Sequence, residues 1–174
     1  MANSQAVVAV PSEDRGEKLR RRMLNPLWMK LFFLGKLPLA LVAGLRVREL
    51  SRERCAASVP YGWRSTNPFK STYFAALSMA AELSTGSLAL FATTLAPESV
   101  AFLIVGMEAS FEKKATGLTT FTCAEGAKIF GAVDETLRTG EGTTARVETV
   151  GTAPDGTIVA RCHFTWSFKR RSRK

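Results

Sequence analysis

The sequence predicts an α+β domain in which one antiparallel sheet wraps a single long central helix, with extra helices at the N-terminus. Three observations carry that expectation. Residues 71–97, "STYFAALSMAAELSTGSLALFATTLAP", hold one charged side chain, Glu82, among Ala, Leu, Phe, Ser and Thr. That is the composition of a helix buried on nearly every side. After Pro97 the apolar period changes from helical spacing to alternation. A chain of 174 residues favours one domain whose core is large enough to fold alone. A helix so apolar needs cover around its circumference, and a curved sheet supplies it.

Residues 1–16 are expected to be a disordered or flexible N-terminus, and no secretory leader is expected there because the apolar run is short and turns acidic. A helical segment, 17–44, follows and packs on the domain. Within it Asn25-Pro26 places a capping side chain before a proline at the first helical position, and Leu37-Pro38 opens a second short helix that ends at Gly44. The stretch 27–45 is the one membrane candidate, but it contains Lys30, Lys36, Gly35 and Pro38, whereas a spanning helix needs about 20 largely uncharged residues.

The main domain is expected over 45–169. Two strands, about 45–51 and 54–61, come first, with Cys55, Ala57, Val59 and Tyr61 sharing a parity. "YGWRSTNPFKS" makes a loop broken at Asn67-Pro68. The helix over 71–93 presents Tyr73, Leu77, Ala80, Leu88 and Phe91 on its apolar face. In the next strand Leu103, Val105, Met107, Ala109 and Phe111 point one way, and Glu108, Ser110 and Glu112 the other. "GLTTFTCAEG" continues as a strand, and 126–142 reads as an irregular or partly helical connection. The last segment is a hairpin turning at Pro154-Asp155-Gly156, with Ile158, Ala160, Cys162, Phe164, Trp166 and Phe168 on one face of its second strand. A basic tail, 170–174, ends the chain.

The formal charge of +9 disappears when it is located. "RGEKLRRR" (15–22) and "KRRSRK" (169–174) each carry five basic residues; without these segments the chain holds 14 basic and 14 acidic residues. Neither run interleaves aromatic residues for base stacking, so no nucleic-acid partner is expected. Cys55, Cys123 and Cys162 are odd in number, far apart and in apolar settings, which fits reduced thiols in a cytoplasmic protein. Metal ligands cluster nowhere, so no metal is expected. His163, the single histidine, lies on the polar parity of the last strand and reads as structural or surface. No nucleophile-elbow sequence precedes a helix that would recruit it into a serine triad.

The order of elements, together with "LPLALVAGLRV", "VPYGWRSTNPFKSTYFAALSMAAELSTG", "ASFEKKATG" and "TWSFK", resembles the hotdog fold of acyl-CoA thioesterases and dehydratases. Within that superfamily it is similar to an uncharacterised, mostly bacterial branch defined by sequence, a domain of unknown function. The likeness covers about residues 36–169. Thioesterases of the phenylacetate-catabolism type carry "HGG" at the start of the central helix and an acidic residue nine positions after the His. Counting back nine from Glu82 gives Tyr73, so Tyr73-Phe74-Ala75 stands in that place: the carboxylate position is kept, and the His and both glycines are not. In the family, amides at the helix start polarise the thioester carbonyl, a task that needs a helix N-terminus rather than a given side chain. The resemblance further implies that Lys113 and Lys114, in "SFEKKATG", face the nucleotide and phosphates of coenzyme A, with Arg64 as a further cation. It also implies a homodimer or dimer of dimers with sites between subunits. The dehydratase branch uses a catalytic His, which the helix start lacks.

Three readings of Glu82 stand together: a structural carboxylate held by loop amides, a general base or nucleophile, and a partner to a base across a dimer interface. The second has a simple physical logic, since burial disfavours the ionised form and gives a carboxylate able to take a proton from water near neutrality. Thr85 and Ser78, about one turn away, and Asn67 in the loop are candidates to orient that water; Asn67 also reads as a turn residue. The expected activity is therefore hydrolysis of an acyl thioester of coenzyme A or acyl carrier protein, with coenzyme A as part of the substrate and no separate cofactor. The alternatives are a non-catalytic acyl- or lipid-binding protein, and a peripheral protein making weak membrane-surface contact through its basic ends and residues 27–45.

Overall fold

A computed structural model of the protein describes residues 12–171. Three helices come first: α1 (Ser12–Leu24), α2 (Pro26–Lys36) and α3 (Pro38–Ala43). The helical segment thus starts before residue 17, and residues 12–16 of the stretch expected to be flexible are helical; residues 1–11, and 172–174 of the expected tail, lie outside the described residues. The caps are those the sequence signals. Asn25 Oδ1 accepts from the amides of Leu27 and Trp28, and Gly44 ends α3 in the left-handed region at φ 76°, where a side chain would be strained. The single apolar stretch 27–45 is therefore two short helices joined at Leu37 and not one long one.

Two strands, β1 (Arg46–Leu50) and β2 (Cys55–Val59), lead to the long helix α4 (Phe74–Leu95). Then follow β3 (Val100–Phe111), β4 (Thr119–Cys123), helix α5 (Gly126–Thr139), β5 (Thr143–Thr152) and β6 (Ile158–Arg170). The connection 126–142, expected to be irregular or partly helical, is mostly a regular amphipathic helix with Ile129 and Val133 in the core. All six strands form one antiparallel sheet in the order β1-β2-β4-β5-β6-β3. The β5–β6 hairpin closes through Gly156 at φ 84°, with Asp155 Oδ1 accepting from Thr157 N.

The sheet curves around α4, whose Leu77, Ala80, Leu88, Ala89 and Phe91 are buried. By length and composition alone α4 would cross a membrane, yet it is the core helix of this domain. Small residues let the layers close up. Gly151 lies opposite Phe121, and a Cβ there would come within 2.6 Å of the phenylalanine ring. Gly16 does the same between helices: a Cβ on it would meet Leu95 Cδ2 at 2.5 Å and Phe91 Cε2 at 3.2 Å, so α1 lies directly on the C-terminal end of α4. Cys55 and Cys123 are opposite one another on β2 and β4; they and Cys162 are free thiols, buried, with burial pushing Cys55 up to about 12.

The simple alternation expected along β3 does not survive. An extra residue at Val105, between the Ile104–Trp166 and Gly106–Thr165 pairs, makes a β-bulge. Before it Phe102 and Ile104 share the inner face with Phe168 and Trp166; after it Met107, Ala109 and Phe111 do. Leu103 consequently turns outward. Because β3 ends the sheet and has no strand on its far side, Leu103, Val105, Met107 and Phe111 are all exposed.

Candidate functional site

The side of α4 that the sheet leaves open is a stripe at helical spacing: Ser78, Glu82, Gly86 and Leu90 are only partly buried, while the residues between them are mostly sealed. The stripe runs beside β6 and the β3 edge. Gly86 shows where the Glu82 carboxylate lies, since a Cβ on that glycine would sit 2.8 Å from Glu82 Oε1 and 3.2 Å from the Trp166 ring. The carboxylate thus leans along its own helix over a bare glycine, next to an indole. No hydrogen bond or ion pair to it is formed among the described residues. Burial alone pushes its carboxyl above the ordinary 4.5, with no charge or donor opposing it.

The helix start is built separately. Ser65 Oγ donates to Pro60 O at 2.6 Å, Tyr73 N donates to Ser65 O at 2.7 Å, and Thr72 N and Oγ1 both donate to Ala115 O. These bonds pin the loop between two strand ends and aim α4. At the first turn, Ala76 N and Leu77 N both reach Tyr73 O, whereas the amides of Phe74 and Ala75 find no acceptor among the described residues. A cavity of about 710 Å³ opens there, lined by Asn67, Tyr73, Phe74, Phe111, Lys113 and Lys114 among others. Phe74 stacks edge-on with both Tyr73 and Phe111.

Four of the residues expected from the sequence therefore meet at this cavity: Asn67, Tyr73, Lys113 and Lys114. Asn67 acts there as the loop's organiser. Its Oδ1 accepts from Phe69 N and Ser71 N, which lets Lys70 adopt its φ of 57°. Lys114 Nζ donates to Phe69 O at 3.3 Å. Glu112, on the same rim, is held by Arg161 at 3.2 Å. Arg64 is elsewhere, on a second cavity under α2 and α3, so it does not join the two lysines. Thr85 is fully buried, and its hydroxyl donates to Glu82 O and accepts from Trp166 Nε1 at 3.1 Å, so it positions the indole beside Glu82.

Glu82 lines neither cavity. It is eight residues along α4 from Phe74, about 12 Å at 1.5 Å per residue. Gly86, which shapes its surroundings, carries no expectation from the sequence, and Trp166 is expected only on one face of the last strand. A glycine one turn after a lone helical carboxylate is the signal for the first; the second becomes visible only when β6 is laid beside α4. His163 lies on the outer face 3.8 Å from Glu148, away from either region. Among the described residues no group of three His, Cys, Asp or Glu side chains could hold a metal ion.

A family model described as a domain of unknown function, DUF4442, matches residues 27–168. The chain belongs to the DUF4442 family. No curated protein sequence matches it. Solved structures similar to this DUF4442 protein include a Pseudomonas aeruginosa protein of unknown function, PA5026, called a probable thioesterase (20% identity, 86% of this chain and 99% of that one, TM-score 0.68). Thioesterase HI1161 from Haemophilus influenzae is similar at 10% identity over 84% of this chain and 91% of its own, TM-score 0.60. A mutant form of thioesterase PA1618 from Pseudomonas aeruginosa is similar at 15% identity over 82% of this chain and 94% of its own, TM-score 0.61. At such identities the likeness fixes the fold: this DUF4442 chain is a hotdog, shared with proteins named thioesterases.

Proposed function

We propose that the protein hydrolyses acyl thioesters of coenzyme A or acyl carrier protein, as a cytoplasmic homodimer. The observation that carries this reading is the Glu82 carboxylate: partly buried, without a partner among the described residues, and on the open stripe of the central helix. Burial raises its proton affinity above that of an ordinary carboxylate, which suits it to accept a proton from water. The water's oxygen adds to the thioester carbonyl as its proton passes to Glu82. The resulting oxyanion lies against the first-turn amides of an α4, where Phe74 and Ala75 have N–H groups to offer and the helix dipole favours negative charge. When the C–S bond breaks, the proton returns from Glu82 to the departing thiolate. The same carboxylate can instead attack the carbonyl directly and expel the thiolate, which takes a proton from solvent, and water then cleaves the mixed anhydride to the free acid and the Glu82 carboxylate.

One chain's Glu82 and one chain's helix start are too far apart to meet on a single carbonyl. Two copies resolve this. Pairing along the free β3 edge covers its row of unpaired backbone groups and its exposed apolar side chains, and brings two open α4 stripes to the same seam. Lys113 and Lys114 then supply cations for the carrier's phosphates.

The test is turnover of a panel of acyl-CoAs by the wild type and by Glu82→Gln. Loss of hydrolysis in a folded Glu82→Gln protein is expected; unchanged hydrolysis excludes the proposal. A second reading, an acyl-binding protein without turnover, is favoured by Phe74, which is 54% exposed at the cavity mouth, at the position where the phenylacetate-type thioesterases that the sequence resembles carry glycine. It predicts an acyl ligand retained through purification, visible by mass spectrometry, and no thioester hydrolysed.

A further inference from the structure

The N-terminal helices present a surface that thioester hydrolysis does not use. On α2, Leu27, Leu31 and Leu34 follow i, i+4, i+7 spacing, while Met29 and Phe33 turn to the core. The stripe continues through Leu37 to Leu39 and Val42 on α3. These six side chains are between 46% and 71% exposed. Six large aliphatic residues within 16 consecutive positions form a patch, unlike the scattered exposure of ordinary surfaces.

The charge around the patch has one sign. From Lys18 to Arg48 the chain carries eight Lys or Arg and no Asp or Glu. Arg20 and Arg21 are engaged by Glu17, and Arg22 lies over the Trp28 ring at 5.6 Å. Lys30, Lys36, Arg46 and Arg48 form no ion pair among the described residues. Beside the stripe is a cavity of about 980 Å³ whose lining includes Lys30, Arg46, Arg48 and Arg64, no acidic residue, and Trp63, which is 86% exposed. Lys30 and Val42 belong to both the stripe's border and the cavity, so the two are continuous.

Leucines on one helical face, flanking lysines long enough to reach outward, unpaired arginines and an exposed indole suit a surface that is apolar below and anionic above. A second copy of this chain is a poor occupant, because it would bring its own eight cations against these. We propose that α2 and α3 seat the protein peripherally on an anionic lipid bilayer, leucines inserted and the basic cavity level with the headgroups. This inference stands apart from the hydrolase reading.

The test is sedimentation of the full chain with vesicles of mixed phosphatidylglycerol and phosphatidylcholine and with vesicles of phosphatidylcholine alone. Binding to the first, weaker by about tenfold or more on the second, is expected from the loss of several cation–headgroup contacts. Leu31→Glu with Leu34→Glu, both at exposed positions, lowers binding by about 100-fold through lost apolar burial. Lys30→Glu with Arg46→Glu lowers it by about tenfold or more, and circular dichroism checks that each pair folds. Three results overturn the proposal: no binding to the anionic vesicles, binding that survives the leucine pair, or a leucine pair that changes the oligomeric state in solution.

Discussion

The two sides of α4 are made of the same kinds of residue and treat polarity in opposite ways. On the sealed side Ser84, Thr85 and Ser87 are buried and every hydroxyl is bonded: Ser84 Oγ to Thr149 Oγ1 at 2.8 Å and to Ala81 O, Thr85 to Trp166 and Glu82 O, Ser87 to Leu83 O. On the open side Glu82 is partly buried, and its carboxylate makes no hydrogen bond or ion pair among the described residues. A buried polar group that is bonded holds layers together, whereas a carboxylate on a partly open face keeps its oxygens available to water or a reactant. One helix is thus both scaffold and candidate reagent, divided by about half a turn.

The sharpest way to break this contrast is Glu82→Gln, which keeps size and polarity and removes the base. Hydrolysis is expected to fall by about 10²–10⁴-fold, read as kcat on an acyl-CoA panel. Stability should move the other way with pH. Burial raises the carboxyl above 4.5, so the folded state holds its proton more tightly than the unfolded one. Wild-type stability from this group is greatest below 4.5 and is lost as pH rises through the raised value, while the glutamine variant is insensitive. Thermal melts should therefore show the variant gaining on the wild type from acid to neutral pH.

Next in size is Gly86→Ala. A methyl there meets Glu82 Oε1 at 2.8 Å and the Trp166 ring at 3.2 Å, and the flexible carboxylate is the group that gives way. Turnover should drop by up to about 10²-fold from the displacement. The melting temperature should shift little, because alanine's better helix propensity, about 1 kcal/mol, offsets the crowding. A large loss of stability with turnover intact would show that the indole, and not the carboxylate, fills this space.

On the sealed side the expectation reverses. Ser84→Ala leaves Thr149 Oγ1 without its partner and should cost about 1–3 kcal/mol in denaturant unfolding, and adding Thr149→Val should recover part of it. Smallest are Lys113→Ala and Lys114→Ala at the cavity rim. Each should raise KM about two- to fivefold with kcat unchanged, less so at high salt, as exposed cations contribute under about 1 kcal/mol.

Much of the frame is legible in the residues. The Asn25 and Gly44 caps, the Pro154-Asp155-Gly156 turn and the alternation from Ala160 to Phe168 are local chemistry written in order along the chain. The β3 bulge is not, because the pattern Leu103, Val105, Met107 reads as one face until pairing with β6 shows an extra residue. The site divides the same way. Asn67, Tyr73, Lys113 and Lys114 converge as their loop and strand ends imply, but Arg64 is drawn toward α2 and α3, and Thr85 is taken up by a tryptophan 81 residues away. Partnerships across such distances depend on how layers stack, which no local spacing encodes.

The glycine at position 16 has a mechanical consequence. Since α1 is pressed against Leu95 and Phe91 with no side chain between, the lever that carries α2 and α3 is bolted to the far end of the central rod. If those helices rest on a bilayer, the rod's tilt relative to that plane is set, and the mouth beside Lys113 keeps one bearing toward whatever enters it. Widening that joint, as Gly16→Leu would, should loosen the bearing before it touches the chemistry.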